Sequence, residues 1–278
     1  MTDRDLTADD IAGCMALSRA ANWNQIPEDW RLVLDVGRAR GAVADGRIVA
    51  SAAVMPYGAF GWICMVLVAP DARRRGHATR LMGWAMETLE AGGLIAGLDA
   101  TPDGREVYGR LGFRDVSQLT RWTFVGAGAR AESGTSTRCR RMTDAEFEAV
   151  AGHDSEIFGG DRRRVLAALR ARRPDLALIA GVAGAIEGYC FGRDGDLATH
   201  VGPVVASSDG SGQALIDAAM ARVGGAVIID LADRHVGIAR TLATKGFAAR
   251  RSFTRMVRSD DAFGMDDAVI AISGPELG

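Results

Sequence analysis

Apolar residues along this chain fall into two kinds of pattern, short continuous runs and helically spaced stripes. Ala42-Val43-Ala44 and Ile48-Val49-Ala50 flank Asp45-Gly46, a pair suited to the two left-handed residues of a tight hairpin, so two antiparallel strands are predicted there. Val66-Leu67-Val68 is a further strand-like run. It leads through a basic turn, Pro70 to Gly76, into Leu81, Met82, Ala85, Met86 and Leu89, whose spacing shares one helical face. Gly92-Gly93 supplies the stop. Nearer the N-terminus, Thr7 to Asp10 reads as a helix start, with Ile11, Cys14, Met15 and Ser18 on one face. A polar-aromatic loop, Asn22 to Trp30, then leads into a second helix ending at Gly37. Ala268 to Ile272 reads as a last strand, expected to return to the first half of the chain.

The Gly/Ala/Ser-rich stretch from Gly126 to Thr137 has the composition of a linker. It divides the chain into a first domain over 1–127 and a second over 138–278, with 128–137 between them. The halves look alike. A glycine turn between Leu178-Ile179-Ala180 and Ala185 to Tyr189 echoes the first hairpin. Leu111-Gly112-Phe113 before Leu119 to Trp122 is echoed by Lys245-Gly246-Phe247 before Phe253 to Met256, at an offset of 134. Self-similarity at one fixed spacing predicts two copies of one fold.

Composition narrows the class. The chain has 278 residues, 48% hydrophobic and 24% charged, as in a soluble globular protein able to bury a sizeable core. Its net charge is −2, which gives no reason to expect nucleic acid or an anionic membrane as partner. No apolar run approaches the ~18 residues of a membrane span, and the acidic start Met1-Thr2-Asp3-Arg4-Asp5 is unlike a signal peptide, so a cytoplasmic protein is expected. Cys14, Cys64, Cys139 and Cys190 lie far apart, and the histidines have no ligand spacing, so neither disulfides nor a metal site is expected.

The candidate chemistry sits in the basic turn. Arg73, Arg74 and Arg75 precede Gly76, His77, Ala78 and Thr79 at the predicted helix start. Free backbone N–H groups, the positive end of the helix dipole and added positive charge all favour a diphosphate there. A Gly-x-x-x-x-Gly-Lys-Ser/Thr loop is absent from the sequence. Gly126 to Ala131 mimics a dinucleotide fingerprint, but the polar stretch after it lacks a helical face and reads as linker.

The order Val68-x-Pro70-x-x-Arg73-x-x-Gly76-x-Ala78 resembles the signature of the GNAT superfamily of acyl-CoA-dependent N-acetyltransferases. Tyr108 to Phe113 resembles the same family's Tyr-x-x-x-Gly-Phe element, about 30 residues downstream as a βαβα unit demands. The resemblance covers residues 1 to 125. It implies an α/β fold of two tandem GNAT-like domains, each a mixed, largely antiparallel sheet flanked by helices, with acetyl-CoA as co-substrate. It further implies that the amides from Arg73 to Thr79 hold the diphosphate and that the main chain of Val66 and Val68 pairs with the pantetheine arm. A main-chain N–H of the same strand would stabilise the oxyanion. Thr101 stands where many members carry an asparagine touching the cofactor, and its hydroxyl can replace one hydrogen bond of that amide but not two.

Tyr108 is the candidate general acid, since a phenol with a pKa near 10 is protonated at neutral pH and can supply the leaving thiolate. The general base is not singled out. Glu28 and Asp29 face the expected substrate side but read as solvated helix-start residues. Trp23, Trp30, Tyr57, Phe60 and Trp62 are a local concentration in a chain only 6% aromatic, suited to an apolar or cationic amine or to core packing. A small-molecule primary amine is the expected acceptor. A non-catalytic acyl-CoA sensor and a protein or peptide acetyltransferase remain alternatives, and homodimerisation is left open. The second copy reads as degenerate. Arg73, Arg74 and Arg75 map onto Ser207, Ser208 and Asp209, which removes the positive charge, Gly76-His77-Ala78 onto Gly210-Ser211-Gly212, where the backbone turn is expected to survive, and Tyr108 onto Leu242, which has no titratable proton.

Overall fold

The computed structural model of the chain describes residues 2–126, 139–181, 185–260 and 263–278. The expected linker at 128–137 lies outside them. The first half runs β1 (Thr2–Asp5), α1 (Ile11–Ala20), α2 (Pro27–Val36), β2 (Arg38–Ala44), β3 (Arg47–Pro56), β4 (Phe60–Val68), α3 (His77–Ala91), β5 (Ile95–Ala100), α4 (Pro102–Arg110) and β6 (Arg114–Phe124). The second repeats that order with β7 (Cys139–Arg141), α5 (Asp144–Phe158), α6 (Arg163–Arg172), β8 (Leu178–Ala180), β9 (Gly188–Arg193), β10 (Thr199–Ala206), α7 (Asp209–Met220), β11 (Val227–Ala232), α8 (Val236–Thr244) and β12 (Ala248–Val257). A short β13 (Val269–Ala271) is added at the end. The 134-residue offset holds at α4 and α8 and at the starts of β6 and β12.

Local chemistry explains the boundaries. Asp45 (φ 51°) and Gly46 (φ 73°) take the left-handed turn their types favour, and β2 and β3 pair across it from Ala44↔Arg47. Pro27 opens α2 and Gly37 ends it. Gly92 ends α3.

All strands among the described residues join one thirteen-stranded sheet, in the order β1-β2-β3-β4-β5-β12-β6-β11-β13-β10-β9-β8-β7. The pairing is antiparallel except between β4 and β5 and between β10 and β11. At the centre the halves exchange their last long strands. β12 lies between β5 and β6, and β6 lies between β12 and β11. The core is shared too. Trp30, Tyr57 and Phe60 pack in one buried cluster with Phe158, Tyr189 and Phe191 of the second half, each such side chain contributing roughly 2–3 kcal/mol on burial. No helix among the described residues is long and apolar enough to cross a membrane.

Two corrections follow. The last strand does not join the first half's strands, because β13 pairs with β10 and β11 of its own half. The tail beyond it does cross over, where the carbonyls of Pro275 and Leu277 accept hydrogen bonds from Trp62 Nε1 (2.8 Å) and the Tyr57 hydroxyl (3.0 Å). Asp29 is not solvated. It is fully buried between Arg172 (2.7 Å) and Arg193 (3.2 Å), two cations from the second half, and it accepts from the Ile26 N–H (2.9 Å). Glu28 does stay exposed, beside Arg31.

Candidate active site

The parallel strands β4 and β5 pair only from Phe60↔Ile95 to Trp62↔Gly97. Beyond that point β5 turns to β12, and β4 from Ile63 to Val68 pairs with β3 alone among the described residues. The strands therefore splay, leaving one edge of β4 open. That edge is bulged, because Ser51 faces Leu67 and Ala53 faces Cys64, so Met65 and Val66 together oppose Ala52. Met65 takes φ 52°, and its carbonyl accepts from the Ser51 hydroxyl (2.8 Å). The bulge leaves Val66 and Val68 half-buried, while Met65 and Leu67 point into the core.

The open edge leads to the start of α3. Arg74 (φ 61°) and Gly76 (φ 79°) turn the chain into the helix through left-handed conformations. A Cβ on Gly76 would meet nothing within 4 Å, so its need for glycine is conformational. No side chain caps this helix, whereas Thr101, Thr143 and Ser208 cap α4, α5 and α7. Its first N–H groups are thus left for an anion or solvent. Arg73, Arg74, Arg75, Gly76 and Thr79 are exposed, Ala78 is half-buried, and none of the three arginines has an ion-pair partner among the described residues. His77 offers only its main chain. Its ring is buried, with Nδ1 3.3 Å from Arg80, which is held by Asp3 (2.5 and 2.8 Å).

The other end of the open edge enters a cavity of about 120 Å³ lined by Ile63, Cys64, Met65 and Val66 of β4 and Leu98 and Asp99 of β5. Thr101 and Tyr108 of α4 add one wall, and Trp23, Asn24 and Gln25 add another. The remaining wall comes from β6 and the second half, with Arg121, Arg251, Phe253, Pro275 and Glu276. Tyr108 packs its ring near Phe113 (centroids 6.2 Å apart), and its hydroxyl has no partner among the described residues. Burial pushes this phenol above its ordinary pKa, so it holds its proton. Burial likewise raises the Cys64 thiol, leaving it un-ionised and a wall residue rather than a nucleophile. Thr101 spends its oxygen accepting the Gly104 N–H (3.3 Å), which leaves its hydroxyl proton for the cavity.

Charges around the cavity are mostly paired. Asp99 meets Arg255 through two bonds (2.9 and 2.8 Å), with that guanidinium 4.5 Å from the Trp62 ring. Arg121 meets Asp230 through two more (both 2.7 Å). Burial alone would raise the Asp230 carboxyl, but Arg121 and His200 override it and hold Asp230 far below the usual range. Glu276 is bound by Arg193 through one oxygen, and its second oxygen accepts no hydrogen bond from the described residues. Of the five clustered aromatics only Trp23 reaches the cavity. Trp30, Tyr57, Phe60 and Trp62 are core.

The second half departs at each of these points. Its parallel pair β10 and β11 also splays, after His200↔Ile228, but β13 fills the gap. Gly210 and Gly212, expected to keep the phosphate turn, lie inside α7, and Ser208 stands at its cap with φ −155°. The helix starts 132 residues after α3, not 134, which is why the turn was misaligned. Asp209 beside it is hydrogen-bonded to His235 Nδ1 (2.6 Å), whose Nε2 meets the Val269 carbonyl of β13 (3.0 Å). Leu242, in the place of Tyr108, is fully buried.

Splayed parallel strands, a bulge and an uncapped helix start after the first of them mark an acetyltransferase fold in the first half, and the second half repeats its order of elements without the open edge or the uncapped helix. Residues 10–113 match the acetyltransferase (GNAT) family, and residues 150–270 match a second acetyltransferase (GNAT) domain. The chain belongs to the GNAT superfamily and is an acetyltransferase with two such domains in tandem. It is 21% identical over 239 residues to the uncharacterized N-acetyltransferase YitH of Bacillus subtilis (strain 168), covering 85% of this chain and 84% of that one. A putative acetyltransferase from Pyrococcus horikoshii superposes with a TM-score of 0.81 at 20% identity, covering 100% of this chain and 95% of that one. The tandem GNAT protein of the clavulanic acid biosynthesis pathway superposes with a TM-score of 0.63 at 15% identity, covering 94% and 99%.

Sequence reasoning missed Asp99, Arg121, Arg251 and Glu276. The polar-aromatic loop Asn22 to Trp30, whose composition suits a wall for the acceptor, supplies Trp23, Asn24 and Gln25 to the cavity, and Asn24 is fixed there by the Leu197 and Ala198 N–H groups (2.9 and 3.0 Å). The others come together only through the strand exchange and the crossing tail.

Proposed function

We propose that the first half acetylates a primary amine on a small molecule, with acetyl-CoA as the donor, in the cytoplasm. The observation that carries this reading is one continuous path: the open edge of β4 joins the uncapped, arginine-flanked start of α3 to the cavity that holds Tyr108. On this reading the N–H groups of the Arg73 to Thr79 turn bind the diphosphate with Arg73, Arg74 and Arg75 adding charge, and Val66 and Val68 offer main-chain pairing to the pantetheine arm. An N–H of the bulged strand stabilises the developing oxyanion. Tyr108 gives its proton to the departing thiolate, and Thr101 orients the donor through its free hydroxyl proton.

Glu276 is the residue we assign to the acceptor. Its unbonded oxygen faces the ammonium and takes up its proton, while Arg193 fixes the carboxylate. Pro275 and Glu276 of the tail line the cavity and the 194–198 turn backs Asn24 in its wall, and this lining from both halves supports a small molecule over a polypeptide. The test is an amine panel with acetyl-CoA, monitored by free thiol. Amine-dependent release that falls in a Glu276→Gln variant supports the reading, and absence of release with every amine removes it.

A further inference from the structure

We infer that the acceptor is an amine carrying an anionic group, with Arg251 binding the anion and Gln25 binding the amine; this deepens the proposed reading and rests on it. Arg251 is the charged cavity residue without a partner. It makes no ion pair or hydrogen bond among the described residues, while Asp99, Arg121 and Glu276 are held by Arg255, Asp230 and Arg193. It is exposed where it lines the cavity. β12 skips a register at Arg250, and Arg251 then stands directly across from Arg121 of β6. Like charges opposite each other on adjacent strands repel. Asp230 neutralises Arg121, and nothing described neutralises Arg251. A solvated cation that lines the cavity, opposite another cation and with no partner of its own among the described residues, is free to meet an external anion.

Gln25 supplies the second, independent sign. Its side chain is 5% exposed and lines the same cavity, and its carboxamide oxygen meets no donor. A buried acceptor left unpaired costs about 1–3 kcal/mol, so such atoms mark places that a ligand satisfies. An ammonium has three donors to offer. The Gln25 oxygen and the free oxygen of Glu276 can take two of them, and Arg251 is left for the far end of the molecule. Carboxylates and phosphates share the required chemistry.

Binding tests this apart from turnover. Protein saturated with coenzyme A, which cannot acetylate, is titrated calorimetrically with glycine, β-alanine, γ-aminobutyrate and aminoethylphosphonate, and with propylamine and propionate as half-ligands. At least one of the amino acids binds tighter than either half-ligand by roughly tenfold or more. Arg251→Ala brings that ligand to the level of propylamine, Arg251→Lys retains part of the gain, and Gln25→Leu weakens it without affecting propionate. Whether carboxylate or phosphonate gains more identifies the anion. Equal binding of propylamine, a preference unchanged in Arg251→Ala, or no binding of any anionic amine overturns the inference. An anionic amine that binds through Arg251 but releases no thiol from acetyl-CoA would leave this subsite standing and remove the acetyl-transfer reading.

Discussion

Replacing Tyr108 by phenylalanine isolates one hydroxyl. The ring packs beside Phe113 against a buried apolar cluster, and Phe at this position keeps that packing. The hydroxyl itself donates to no described residue. Its removal therefore leaves no buried partner unsatisfied, and the stability change should stay within about 0.5 kcal/mol. A general acid contributes roughly 10²–10⁴ in rate, which at 1.36 kcal/mol per decade is about 3–5 kcal/mol of barrier. The expected result is a kcat lower by that factor, with melting temperature and coenzyme A affinity unchanged, read by free-thiol release, thermal unfolding and calorimetry. Burial raises the phenol, so the wild-type rate is sustained below that raised value and lost only as pH climbs through it, above about 10. The variant loses this alkaline limb. An undiminished kcat, or a parallel loss of coenzyme A binding and stability, would refute the assignment.

Further outcomes follow from the same geometry. Coenzyme A binds with a stoichiometry of one per chain, since β13 fills the second half's gap and Ser208 caps α7; a calorimetric value of two refutes this. Gly76→Val forces a branched side chain to φ 79° and costs about 1–2 kcal/mol, weakening coenzyme A binding roughly tenfold if the strain falls on the bound turn. Asp29→Ala removes the carboxylate shared by Arg172 and Arg193, leaving them the Asp194 carbonyl and Glu276, and lowers stability by about 3 kcal/mol in urea unfolding, and a loss below about 1 kcal/mol would show that the network is dispensable. Glu146, held to about 2 by Arg140 and by the Thr143 N–H and hydroxyl, adds stability that is complete above the ordinary carboxyl value and lost as pH falls toward about 2. Glu146→Gln flattens that part of the acid unfolding profile.

Much of the site was legible because it is local. The turn from Arg73 to Thr79, the helix behind it and the placement of Tyr108 and Thr101 on α4 depend on residues within a few turns of each other. So does the left-handed pair Asp45-Gly46. The misreadings arose where distant partners changed a residue's surroundings. Asp29 reads as a helix-start carboxylate by its neighbours and is buried only because Arg172 and Arg193 arrive from the other half. Gly210 and Gly212 looked like a phosphate turn because a shift of two residues in helix start is invisible to a fixed offset.

The sequence alone determined the repeated order of elements, the glycine turn that opens α3 and the position of Tyr108 behind it, since periodicity, turn chemistry and side-chain identity act over short stretches of chain. Tertiary structure decided which strands pair across the centre, that β13 closes the second half's gap, and that Glu276 and Arg251 of the second half complete a cavity of the first. Those outcomes rest on strand register and packing between residues more than a hundred positions apart, which no local pattern encodes.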